Sequence, residues 1–232
     1  IHAVLEGGGA AVGISDLMNV FGGLRFYTHA LAAGLKPILG CDLKVINPKD
    51  LNKPFRLGVL CMNHEGYHSL SVLLTKAFLT NNDAARGLVD PKWFDGDGSE
   101  GLIALSGAAQ GELGSLLLGK KWALAHEAAE RFKAQFPGRF YVELQRAGRP
   151  TDELATARLA NFAVEEQLPV VATHPIQFLK PEDFEAHEVR CSIAEGYTLQ
   201  DPRRVKRYTP EQYLKSEAEM CELFADIPVA IE

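Results

Sequence analysis

The decapeptide PVVATHPIQF, Pro169–Phe178, places an apolar run directly before a threonine, a histidine and a proline. Val170, Val171 and Ala172 read as a buried strand, and Pro175 stops it. Thr173 and His174 then fall at the carboxyl end of that strand. Sheet and barrel enzymes of the α/β class keep their chemistry there.

Working outward from this strand, apolar runs alternate with amphipathic ones. AAVGIS (10–15) is a short apolar run, and GGLRFYTHALAAG (22–34) suits a helix closed by Gly34. PILGCDLKVI (37–46) and FRLGVLCM (55–62) are β runs on either side of a polar, proline-bounded loop. A helix over 67–79, a strand over 102–107, one helical stretch from Gln110 to Phe136, a strand over 140–145 and a helix over 151–167 follow. After the 169–173 strand come two helices, 181–196 and 209–226, the second with Thr209 as N-cap and Pro210 at its first position. The count is six strands, or seven if Ile1-His2 is the stub of another. Strands alternating with helices predict a mostly parallel sheet flanked by helices, either open or closed.

The 232 residues, 47% of them apolar, suffice for one domain with one core. A formal charge of -6 argues against a domain built mainly to grip nucleic acid. No apolar run approaches the length of a membrane span and no signal-peptide pattern is present, so a cytosolic protein is expected. Cys41, Cys61, Cys191 and Cys221 are widely spaced in apolar surroundings without a CxxC pair, which suggests neither a zinc finger nor a disulfide framework. Arg203, Arg204, Lys206 and Arg207 read as a solvated loop.

Several motif-like stretches fail on chemistry. GSLLLGKK (114–121) nearly matches a phosphate-binding loop, but Lys121 stands where a hydroxyl must reach Mg²⁺, and SLLL is an apolar helical face. Gly7-Gly8-Gly9 precedes a strand instead of following one, and reads as a helix end turning into it. His64 and His68 have metal-sharing spacing, but read as a solvated helix start. His29, His126 and His187 read as surface or helix-packing residues. At strand ends the sequence collects Asp16, Asp42, Asn63, His64, Ser106, Glu143 and His174, a set that invites a metal-site hypothesis.

YTPEQYLKSEAEMCELFADIPVAI (208–231) resembles the end of the PHP (polymerase and histidinol phosphatase) domain as it occurs in bacterial DNA polymerase III alpha subunits. ISDLMNVFGGLRFYTHALAAGLKPILGCDL, NHEGYHSLSVLLTKAF, GLIALSGAAQGELG, FYVELQRAGRP and LPVVATHPIQFLKPEDFEAHEVRCSIAEG resemble successive blocks of the same family. The resemblance implies an α/β fold, a distorted (β/α)7 barrel of the PHP type over 1–232, as a fragment of a larger polymerase subunit. Metal-binding members carry His, Asp, Glu and Cys ligands at strand ends and hydrolyse phosphoesters, including 3′ DNA ends.

Measured against that pattern, the ligands thin out. Thr-Asp-His appears as Ser15-Asp16-Leu17, the glutamate after Gly-Cys is Asp42, Ser-Gly-Cys is Ser106-Gly107-Ala108, and Asn-Asp-x-His is His174-Pro175-Ile176-Gln177. Asp16, Asp42, Glu143 and His174 remain as a vestigial cleft, with no catalytic residue and no metal expected; Zn or Mn held there is the alternative. The four are expected to disperse into hydrogen bonds or ion pairs, with Lys44 and Arg146 near in sequence. The resemblance further implies, as partners, the polymerase body of the same chain and a proofreading exonuclease subunit, with DNA bound only weakly and no membrane. The family's opening His-x-His block is missing: Ile1-His2 runs straight into AVLEGGG. A segment between His2 and Ala3 is expected in the whole protein, because a barrel without its first helix would expose its core.

Overall fold

The computed structural model describes residues 1–80 and 87–231. Six strands form one curled sheet in chain order: β1 (Ala11–Leu17), β2 (Lys36–Val45), β3 (Phe55–Cys61), β4 (Leu102–Leu105), β5 (Phe140–Gln145) and β6 (Val170–Thr173). Among the described residues β1 and β6 are its two edges, so the sheet is a half-barrel rather than a closed ring. It is also mixed. β1–β2, β4–β5 and β5–β6 pair in parallel, whereas β3 runs antiparallel to both β2 and β4. The expected mostly parallel sheet fails at β3 because the 46–54 loop is too short to carry a crossover, which needs a dozen or more residues.

Alternation along the strands separates two faces. Cys41, Leu43 and Val45 on β2, Leu57 and Val59 on β3, Leu102 and Ala104 on β4, and Val142 and Leu144 on β5 are buried in the core. Helices cover this convex face. α3 (His64–Thr80) buries Leu70, Leu73, Leu74 and Ala77 there. α4 (Glu112–Leu118), α5 (Trp122–Gln135) and α6 (Asp152–Glu165) add Leu113, Leu117, Phe132, Leu159 and Phe162. Phe132 stacks on Phe140 with ring centroids 4.6 Å apart. Each such fully buried side chain contributes on the order of 1.5–3 kcal/mol. The opposite, concave face carries Asp42, Arg56, Glu143 and Gln145, and is only partly covered.

Three helical expectations change. The single helix over 110–136 breaks into α4 and α5 at Gly119-Lys120-Lys121, where Lys120 takes a left-handed φ of 54°. The break lets both helices press their apolar faces on the core. The helix expected over 209–226 shrinks to α8 (Glu217–Leu223). Residues 212–214 instead lie against 177–178: Gln177 N–H donates to Gln212 O (2.8 Å) and Leu214 N–H to Phe178 O (3.0 Å). The helix start moves to Ser216, whose hydroxyl accepts from Glu219 N–H while the Glu219 carboxylate accepts from Ser216 N–H. At the other end, residues His2–Glu6 form α1 rather than a strand stub, and Val4 N–H and Leu5 N–H donate to Ile1 O, so the helix runs unbroken through His2–Ala3 where an additional segment was expected.

The remaining helices are α2 (Gly23–Ala32), followed by Gly34 at φ 78°, and α7 (Phe184–Glu195). No helix among the described residues is long and apolar enough to cross a membrane.

Candidate functional site

The residues singled out by the sequence sit around the concave face, but at different depths. Asp42 lies in the middle of β2, opposite Gly58 on β3, and Glu143 in the middle of β5, opposite Val171 on β6. Both were expected at strand ends; both strands run on past them. Asp16 is the penultimate residue of β1 and exposed, its carboxylate beside Gly22. His174 follows the last residue of β6, as the opening decapeptide predicts.

Antiparallel pairing decides the surroundings of Asp42. Register sets Lys44 opposite Arg56, and the Arg56 side chain reaches diagonally to put Nη1 3.4 Å from Asp42 Oδ2. Neither expected cation takes this role. Arg146 instead grips Asp226 through two nitrogens (2.6 and 2.8 Å), lies 3.3 Å from Glu153, and stacks over Phe224, fastening α8 to the end of β5. Burial pushes the Asp42 carboxyl above its ordinary range, and Arg56 opposes that shift.

Glu143 is buried and fully engaged. One carboxylate oxygen accepts from Gly107 N–H (3.0 Å), the other from Gln145 Nε2 (2.9 Å) and from the Thr173 hydroxyl. Burial raises its pKa, the charge on Asp42 adds to the rise, and the three donors oppose it. The Ser106-Gly107 turn that supplies the backbone donor is locally enforced. Gly107 has φ 77°, and a Cβ there would lie 2.2 Å from Arg56 O. Ser106 Oγ meanwhile accepts from Glu143 N–H (2.9 Å), extending the β4–β5 pairing past the end of β4.

His174 Nε2 lies 2.7 Å from Glu211 O, so this nitrogen carries the proton and donates it to the carbonyl. Nδ1 is buried without a partner. Burial lowers the imidazole pKa, and the nearby Lys215 and Arg149 charges lower it further.

Asp42 and Glu143 therefore share one electrostatic neighbourhood, while Asp16 and His174 stand apart. Among the described residues one group of three His, Cys, Asp or Glu ligands comes together within 4.8 Å, and none of the four belongs to it. Of the residues that set the character of the face, Arg56 and Gln145 escaped the sequence reading; Gly107 entered it only within the Ser106-Gly107-Ala108 block, and Thr173 was placed at its strand end without a role.

Other expectations fare variously. His64 and His68 are exposed at the start of α3, and Asn63 accepts from Gly66 N–H there (2.9 Å). Gly7-Gly8-Gly9 joins α1 to β1, as read. Arg204 departs from the solvated-loop reading: its side chain is 3% exposed and its guanidinium lies 2.7 Å from the buried Glu188. A short run with four basic residues around Val205 gave no hint that one of them points inward. Cys221 is exposed rather than in apolar surroundings.

Residues 1–147 match the model of the PHP domain family. DNA polymerase III alpha subunits are similar along almost the whole chain. That of Pasteurella multocida is 42% identical over 100% of this chain and 20% of the relative. That of Haemophilus influenzae is 42% identical over 96% and 19%, and that of Escherichia coli K12 41% identical over 95% and 19%. The chain thus spans about a fifth of the length of these relatives. A crystal structure from Bifidobacterium adolescentis, named provisionally as a metal-dependent phosphoesterase, covers 74% of this chain and 79% of its own at 11% identity and a TM-score of 0.42, too loosely to bear on the chemistry.

Proposed function

Because this chain belongs to the PHP domain family and resembles DNA polymerase III alpha subunits throughout, we propose that it is the PHP domain of such a subunit, acting as a metal-free structural and docking domain. The observation that carries this reading is the state of the two central carboxylates. Asp42 faces the Arg56 guanidinium, and Glu143 is saturated by Gly107, Gln145 and Thr173. A multi-metal hydrolase needs several donors free to converge on each ion and a water poised between them. Here an arginine occupies the neighbourhood where a divalent cation would have to compete. The donor set does not fit such a centre.

In this reading the domain packs against a polymerase body in the same chain and docks a proofreading exonuclease subunit in the cytosol, touching DNA only weakly. In this reading the half-barrel belongs to a distorted (β/α)7 barrel of the PHP type, which the curled six-stranded sheet supports. Exposed apolar side chains favour docking. A groove of about 570 Å³ between α2 and α3 is lined by Leu24, Tyr27, Leu39, Met62 and Tyr67, with Leu24 79% and Met62 54% exposed.

A second reading, an active metal-dependent 3′–5′ exonuclease or phosphoesterase holding Zn or Mn, draws on the free Nδ1 lone pair of His174. One experiment separates the two: phosphoesterase and 3′-exonuclease assays of the intact protein with added Zn²⁺ or Mn²⁺, beside co-purification with an exonuclease subunit. Turnover abolished by Asp16→Ala would overturn the docking reading. Stable exonuclease capture without turnover supports it.

A further inference from the structure

The group of three potential ligands lies far from the concave carboxylates in sequence, on α7, as His187-Glu188-x-x-Cys191. Residues at i and i+4 share one helix face, which is how the H-E-x-x-H pattern of zinc enzymes presents two ligands from one helix. Cys191 takes the place of the second histidine here. Both ring nitrogens of His187 lie 3.8 Å from Cys191 Sγ. With Zn–N near 2.0 Å and Zn–S near 2.3 Å, a tetrahedral zinc holds its nitrogen and sulfur ligands about 3.5 Å apart, so little movement is required.

Glu188 completes the group in an arrangement that its structural role does not explain. It is 5% exposed, and Arg204 binds one carboxylate oxygen at 2.7 Å. The other oxygen, Oε1, is buried with no hydrogen-bond partner. A carboxylate oriented by an outer arginine, with its second oxygen buried and unpartnered and an oxygen within 4.8 Å of histidine and cysteine ligand atoms, is what a metal ligand with its supporting shell looks like. The His187 ring is itself held, edge-on to Tyr208 at 4.6 Å and tilted against Phe178 at 5.5 Å. A cavity of about 310 Å³ bordered by His187, Phe178 and Arg190 opens beside it, giving a path for an ion and room for a water.

We infer that His187, Glu188 Oε1 and Cys191 Sγ form a binding site for one thiophilic divalent cation, zinc being the best match, with water in the fourth position. Mixed thiolate, imidazole and carboxylate donors select zinc over magnesium or calcium. With its ligand set confined to one helix turn and Glu188 held from outside by Arg204, the ion would brace α7 instead of serving hydrolysis. This site is separate from the concave face, so it stands or falls independently of the docking reading.

Cobalt(II) titrated into the intact protein is expected to give a thiolate-to-cobalt charge-transfer band in the near ultraviolet, which zinc then displaces. Cys191→Ser should abolish the band and weaken zinc binding at least tenfold, whereas Cys221→Ser should leave both unchanged. In the unmodified protein, zinc should protect Cys191 from alkylation and spare Cys221 no modification, a readout that needs no variant to fold. Absence of the band, its persistence in Cys191→Ser, or alkylation of Cys191 indifferent to zinc would each overturn the assignment.

Discussion

Arg56 stands diagonally across the antiparallel β2–β3 pair from Asp42, Nη1 to Oδ2 at 3.4 Å, and so places a permanent cation on the concave face beside that carboxylate. The pair is partly open to water, with 46% of the Asp42 side chain exposed, so its direct worth is about 1 kcal/mol or less. Its larger effect is on charge balance. Arg56→Ala leaves Asp42 and Glu143 to repel one another, and the variant is expected to bind Mn²⁺ more tightly than the unmodified protein in isothermal titration. Equal, negligible binding by both proteins would show that Arg56 does not guard the face.

Glu143 makes stability depend on pH in a stated direction. Its folded-state carboxyl lies above the ordinary 4.5, so the proton favours the folded form. That contribution is complete below about 4.5 and disappears as pH rises through the raised folded value, leaving a buried charge. Glu143→Gln can donate to Thr173 and accept from Gly107 without ionising. Urea midpoints measured from pH 5 to pH 8 should therefore fall less steeply in the variant, and parallel curves would refute the buried titration.

Gly107 couples a backbone requirement to the same carboxylate. An alanine there combines a left-handed φ with a Cβ 2.2 Å from Arg56 O. Gly107→Ala should cost at least about 2 kcal/mol in chemical denaturation. A loss below half that would mean the turn relaxes freely.

The buried pair of Arg204 with Glu188 predicts a larger penalty. Removing the arginine alone strands a carboxylate that is 5% exposed, so Arg204→Ala should destabilise by about 3 kcal/mol or more. Adding Glu188→Gln to that variant should recover part of the loss. Additive losses in the double-mutant cycle would deny the coupling.

Much of the architecture was written locally. The alternation of buried and exposed residues along β2 and β5, the apolar stripe of α3 and the glycine after α2 each specify an element through its own neighbours in the chain. All six strands could be read this way, and so could the position of His174 after β6. Directions and partners could not. β3 runs against its neighbours because of a short loop, and 209–216 gives up helical bonds for pairing with 177–178, since contacts between distant segments outweigh propensities worth tenths of a kcal/mol per residue. The site followed the same division. Composition supplied the carboxylates Asp42 and Glu143, but only the folded sheet set Arg56 against one and Gly107, Gln145 and Thr173 around the other, because hydrogen bonds and ion pairs act over a few ångströms of space, whatever the separation along the chain.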